Sequence, residues 1–146
     1  MSISQPRPPA ARGPVPAGSA PVVIVAVDLL ALVAFVLAGM RSHHEGTLVE
    51  IFLRNAVPLL GTWVIVSVAL STYRRPGFAT LLRTWIVAVP IALVIRSLWV
   101  GSPSEIAPFL TFLAVGLSFT LLFLAIGRGL ARLVAARLGT ARRRSA

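Results

Sequence analysis

The stretch Val27-Asp-Leu-Leu-Ala-Leu-Val-Ala-Phe-Val-Leu-Ala-Gly-Met-Arg-Ser-His43 places one acid inside an apolar run of helix length and closes it with a short polar cluster. On the membrane-insertion scale a central Asp costs about 2.5–3.5 kcal/mol, and each Leu, Ile, Val or Phe returns about 0.3–0.6 kcal/mol. Twelve such residues lie between Val22 and Leu37, enough to outweigh Asp28. The first span is therefore expected at about 21–40, with Asp28 retained inside it. The positions at helical spacing from Asp28 are Ala31, Phe35, Gly39 and Ser42. Three of these four are small, as a face packed against other helices requires. Asp28 is accordingly expected to face its neighbours, not lipid.

The rest of the chain repeats the pattern. Of 146 residues, 57% are hydrophobic and only 12% charged, against about 25% charged in an ordinary soluble domain. Four apolar runs of spanning length predict an all-α integral membrane bundle, with spans at about 21–40, 51–72, 81–100 and 106–126. A chain this short could not bury four uniformly apolar helices in a water-soluble core. Residues 1–20, with Pro6, Pro8, Pro9, Pro14 and Pro16, read as a disordered Pro-rich tail. The apolar run after them is too long for the core of a cleaved signal peptide. Residues 127–146 read as an Arg-rich tail.

Local signals refine these spans. Thr47-Leu-Val-Glu50 has the spacing of a capping box, so the second helix should start near Leu48. Arg54 lies four residues after Glu50, the favoured order for a helical ion pair. Pro58 and Pro90 fall inside spans, where membrane helices tolerate them. Pro108 falls in a first turn, where proline is harmless. Tyr73 stands where an interfacial aromatic belongs, and Arg74-Arg75-Pro76-Gly77 reads as a basic turn. Trp63, Trp85 and Trp99 read as belt and packing residues.

Net charge is +10, and all the basic side chains are arginine. Arg7 and Arg12, then Arg74, Arg75 and Arg83, then the six from Arg128 to Arg144, fall on one side of the expected topology. Only Arg41 and Arg54 fall on the other, while Arg96 lies within a span. The asymmetry predicts both termini in the cytoplasm of a cell with an inner (plasma) membrane. It accounts for the high pI without nucleic acid; no aromatics interleave with these arginines, as single-strand binding would need. The C-terminal arginines should instead attract anionic lipid. The excess of Ala, Arg, Gly and Pro fits a GC-rich bacterial genome.

Counting 1.5 Å per residue puts Asp28 roughly 9 Å from the inner edge and Arg96 roughly 6 Å from the outer edge. In a core of about 30 Å they stand roughly 15 Å apart along the membrane normal. An Asp28–Arg96 bridge would need the helices to slide by several residues. Two polar layers are expected instead: Asp28 with Ser67 and Ser118, and Arg96 with Thr111, Ser42 and His43.

The pattern Asp28…Phe35…Gly39-x-Arg41-Ser42-His43, then Val57-Pro58-Leu59-Leu60-Gly61-x-Trp63, then Leu93-x-x-Arg96, resembles the bacterial and archaeal membrane proteins catalogued as domain of unknown function 3054. The likeness covers about residues 22–126 and leaves out the head and the arginine tail. One departure is Pro58-Leu59, where a Pro-Phe pair is expected. The resemblance implies a four-helix membrane protein and brings no established activity, substrate or cofactor.

Asp28 is the leading candidate for function, since ionisable residues inside membranes mark function by default. It could carry a proton, or hold helices together through Ser and Thr hydroxyls. Arg96 could snorkel outward or bind an anion. His43, His44 and Glu45 could sense pH in an outer loop. Adjacent histidines diverge on a helix, and zinc wants three or four ligands, so no metal is expected. The chain lacks cysteine, and with it thiol chemistry and disulfides. Serine-nucleophile motifs, phosphate loops and paired acids are also missing. The expectation is a non-enzymatic transport or channel-type subunit without a cofactor, assembled as a homo-oligomer. A structural or interaction protein scaffolding a membrane complex is the alternative.

Overall fold

The computed structural model describes residues 20–40, 47–101 and 106–144. It is all-helical over these segments: α1 (Ala20–Met40), α2 (Leu48–Ala69), α3 (Phe78–Val100) and α4 (Ile106–Arg144). All four are long and apolar enough to cross a membrane. Each helix packs on its two neighbours in a closed ring, α1 on α2, α2 on α3, α3 on α4 and α4 on α1. Among the described residues the backbones of the diagonal pairs stay apart. Contacts pair early residues of one helix with late residues of the next, so neighbours run antiparallel: Phe35 meets Phe123, and Trp85 meets Thr120.

Each helix turns a narrow inward stripe and leaves a broad apolar exterior. On α1 the stripe is Asp28, Ala31, Leu32 and Val36, with the i, i+3, i+4, i+8 spacing of one helix face. Trp63, Leu81, Val89 and Leu124 complete the core from the other three helices. Outside it, Leu30, Ile65, Ile86 and Leu122 stand half or more exposed. Water would penalise so much apolar surface, whereas hydrocarbon would not.

The helix ends follow local chemistry. Thr47 caps α2 as expected, its hydroxyl accepting from the Glu50 amide at 3.3 Å. The expected Glu50–Arg54 ion pair does not form among the described residues. The second helix was expected to reach Thr72 but ends at Ala69. Ser71 adopts a left-handed conformation, φ 50°. Its amide bonds to Val68 O, and the Thr72 amide bonds to Ser67 O, each at 3.0 Å. This is a Schellman stop with serine where glycine is usual. It turns the chain back so that Thr72 is buried against Thr84 and Tyr73 points beneath the bundle. Thr84 donates its own proton to Thr80 O at 3.0 Å, so Thr72 is the donor of the pair. Helix α3 then starts at Phe78, three residues before its expected start, with the Gly77 amide held by Thr80 Oγ1 at 2.9 Å.

The largest departure is α4. It was expected to stop near 126 and release a tail, but it continues as one helix of 39 residues to Arg144. The segment expected to be disordered at 1–20 lies outside the described residues except for Ala20.

A left-handed serine costs about 1–2 kcal/mol that glycine avoids. Ser71→Gly is expected to raise the thermal midpoint of the protein in detergent, and Ser71→Val to lower it. Equal midpoints for the three proteins would contradict the Schellman assignment.

Candidate functional site

Asp28 is fully buried, as a carboxylate turned into the bundle must be, and its partner is Arg128 of α4. Arg128 Nε donates to one carboxylate oxygen at 2.8 Å and Nη2 to the other at 2.6 Å. This two-pronged geometry is the strongest form of ion pair. The remaining guanidinium nitrogen, Nη1, donates to Gly77 O at 3.1 Å. The Tyr73 hydroxyl donates to Asp28 at 3.1 Å and accepts from the Trp63 indole at 3.0 Å. One network thus ties α1, α2, the α2–α3 turn and α4 together.

Sequence and packing explain why the two charges meet. A Cβ at Gly127 would come within 3.3 Å of both Ala31 Cβ and Val27 Cγ1. Glycine at this position lets α4 lie against α1 where Asp28 emerges. The contact with Gly77 also fixes the level of the pair. Gly77 is the N-cap of α3, so the network lies at the end of the bundle that carries the α2–α3 turn. Eight residues of α1 precede Asp28, roughly 12 Å of helix, and α4 continues past Arg128 on the same side.

The expected inner layer is only partly assembled. Ser67 is buried beside Tyr73, but its hydroxyl has no hydrogen-bond partner of good geometry. Ser118 is exposed and bonds to Ala114 O of its own helix at 2.8 Å, away from Asp28. Thr120 occupies the inward face of α4 instead, accepting from the Trp85 indole at 3.2 Å. Two positions on a helix differ by about 200°, which separates these two hydroxyls.

At the opposite end, Arg96 bonds through Nε to Asn55 Oδ1 and lies over the Phe112 ring, 4.6 Å from its centroid. Thr111 is exposed. Ser42, His43, His44 and Glu45 lie outside the described residues. Arg96 does not bridge to Asp28, as the depth count anticipated. It lines a cavity of about 470 Å³ bounded by all four helices, with Phe35, Leu59, Leu93 and Phe123 among its walls. Among the described residues there is no cluster of three or more metal-ligating side chains.

The model of the family described as protein of unknown function (DUF3054) matches residues 25–131. The chain belongs to that family. The matched region opens three residues before Asp28 and closes three after Arg128, so it holds both partners of the ion pair. It also reaches past residue 126, where the resemblance read from the sequence ended. No curated protein and no solved structure matches the chain.

The charge of Asp28 can be read out through Tyr73, the only tyrosine in the chain. Burial, then the negative charge of Asp28, push its phenol above the usual 10.0. Phenolate absorbance in the folded protein should therefore develop above pH 10, and Asp28→Asn should move it downward. Tyr73 ionises at higher pH when folded than when unfolded, so its stabilising share is intact below pH 10 and is lost as pH rises through the folded value. An unshifted titration in Asp28→Asn would break the link between the two groups.

Proposed function

We propose that the chain is a multi-pass protein of the inner (plasma) membrane with both termini cytoplasmic. In this reading it works without catalysis, as a small transport or channel-type subunit in a homo-oligomer. The observation that carries the reading is the asymmetry of the bundle's two halves. One half holds a cavity of about 470 Å³, within the usual range for ligand sites. The other is packed with the buried side chains of Leu32, Trp63 and Leu124 and the Asp28–Arg128 network, and carries a smaller groove of about 320 Å³ lined by Val27, Arg128 and Arg132. Such a shape suits a device that admits something from one side.

Asp28 supports the reading as a latch that must open before it can carry a proton. Three donors already occupy its carboxylate. Moving a proton through it would first require α4 to release it. Arg128 also leaves the pool of surface arginines, since it is spent inside the bundle. The exposed Arg74, Arg75, Arg83, Arg132 and Arg137 still support a cytoplasmic, anionic-lipid-facing end. Four helices enclose too little space for a through-path, which favours assembly of several copies.

A scaffolding role draws on a different feature. Beyond Arg128, α4 carries Leu130, Leu133 and Val134, each more than half exposed. That stripe could dock on a partner helix.

The topology can be tested because cysteine is absent from the chain. In intact cells a membrane-impermeant maleimide should label His43→Cys and spare Arg75→Cys; permeabilisation should expose both. Labelling of Arg75→Cys in intact cells would reverse the orientation. For transport, pyranine-loaded proteoliposomes under a potassium diffusion potential should show proton flux above empty vesicles. Gly39→Trp, which fills open space at the cavity wall, should suppress it. Flux no greater than that of empty vesicles would remove proton transport from the reading and favour the scaffold.

A further inference from the structure

The Arg96 cavity combines features that select for one kind of ligand. Its walls are mostly aliphatic and aromatic, including Phe35, Phe112, Phe119 and Phe123. Its polar groups are Arg96 and Asn55. Arg96 Nε is occupied by Asn55, and among the described residues no carboxylate pairs with this guanidinium. A guanidinium has five N–H donors in a fixed fork, so donors remain for an incoming anion. Arg54, close enough to repel Arg96, also forms no ion pair among the described residues, and its Nε is buried without a partner. With Glu50 the one described carboxylate at this end against Arg54 and Arg96, the described residues leave a net positive charge here.

The cavity also faces the right medium. Helices α1 and α4 are in close contact at Gly127 and still touch at Phe35 and Phe123, whose centroids are 6.0 Å apart. Toward the other end both helices line the cavity, α1 through Val36, Ala38 and Gly39 and α4 through Phe112, Val115 and Phe119. A Cβ at Gly39 would meet nothing within 4 Å. Four residues that line the cavity there, Ala38, Gly39, Val115 and Phe119, are exposed on the bundle's apolar exterior. The opening thus lies between two helices, on a surface suited to hydrocarbon, with a cation at its polar end.

We infer that the cavity binds a single-chain amphipathic carboxylate of the fatty-acid type, entering from the bilayer between α1 and α4. The carboxylate sits on the Arg96 fork and the chain lies among the phenylalanines. Arg54 is not among the lining residues, so the wall itself supplies the one cation of Arg96, which matches the single charge of a carboxylate better than the about −1.5 to −2 of a phosphate monoester. A neutral chain would leave the guanidinium unpaired. The inference deepens the transport reading and rests on its cavity, but its test scores binding, so a failure here is separate from a failure of flux.

The probe is a diazirine-bearing palmitate, photolysed with the full-length protein in phosphatidylcholine nanodiscs and mapped by mass spectrometry. The controls are the matched long-chain alcohol and the matched lysophosphatidate. Palmitate should label Val115, Phe119 and their neighbours about tenfold more than the alcohol, and more than the lysophosphatidate. Arg96→Gln should reduce palmitate to the level of the alcohol, while Arg96→Lys keeps part of the preference. Val115→Trp should remove cavity labelling by both probes. Equal labelling by palmitate and alcohol in the wild-type protein would overturn the inference, even if Arg96→Gln failed to fold. Labelling spread over the outer helix faces would also overturn it, and a preference for lysophosphatidate would overturn the carboxylate assignment.

Discussion

The guanidinium of Arg128 closing on the carboxylate of Asp28 is the interaction on which the bundle's arrangement depends. Either charge alone in this dry site would be costly, and each is present only because the other is. A buried pair of this kind is weak evidence for stability, since apolar residues of similar volume often do as well. Its value lies in specification. Apolar helices slide past one another in hydrocarbon with little penalty, because lipid tails are as apolar as leucine. The ion pair fixes the register of α4 against α1, and Nη1 of the same guanidinium fixes both against Gly77 at the start of α3. Tyr73 and Trp63 extend the constraint to α2.

The register has a geometric consequence. It brings Gly127 against Ala31 and Val27, pinning α1 and α4 together at one end. Toward the other end, residues of α1 and α4 line an open space together with α2 and α3. The cavity around Arg96 is that space. Both polar features of the bundle thus flank one crossing: a charge pair where the helices are close, and the Arg96 cation at the space they line.

Much of this was legible in the sequence. Hydropathy marked all four helices, the Thr47–Glu50 spacing marked the start of α2, and Ala31 beside Asp28 marked an inward face, whereas Gly39 of the expected face is exposed and Ser42 lies outside the described residues. The partner of Asp28 was not found, because Arg128 heads a run of arginines and was counted with a tail. One signal was available. A buried Asp calls for a cation at its own level, and Arg128 lies two residues past the expected end of α4, between two glycines. Ser118 was chosen by depth alone; the helical angle selects Thr120. The end of α2 was misplaced because serine supplies the left-handed stop, and composition does not flag serine there. Tyr73 was read as an interfacial aromatic, since nothing local shows that the Schellman turn aims it at Asp28.

The central claim is that Asp28 and Arg128 act as one unit, and a double-mutant cycle tests it most directly. Unfolding free energies in mixed detergent micelles would be compared for Asp28→Ala, Arg128→Ala and the double variant. Each single change should cost about 3–5 kcal/mol by stranding the other charge. The double variant should cost less than their sum by about 2 kcal/mol or more. Additive costs would mean that the two residues do not meet, and that another contact sets the register of the four helices.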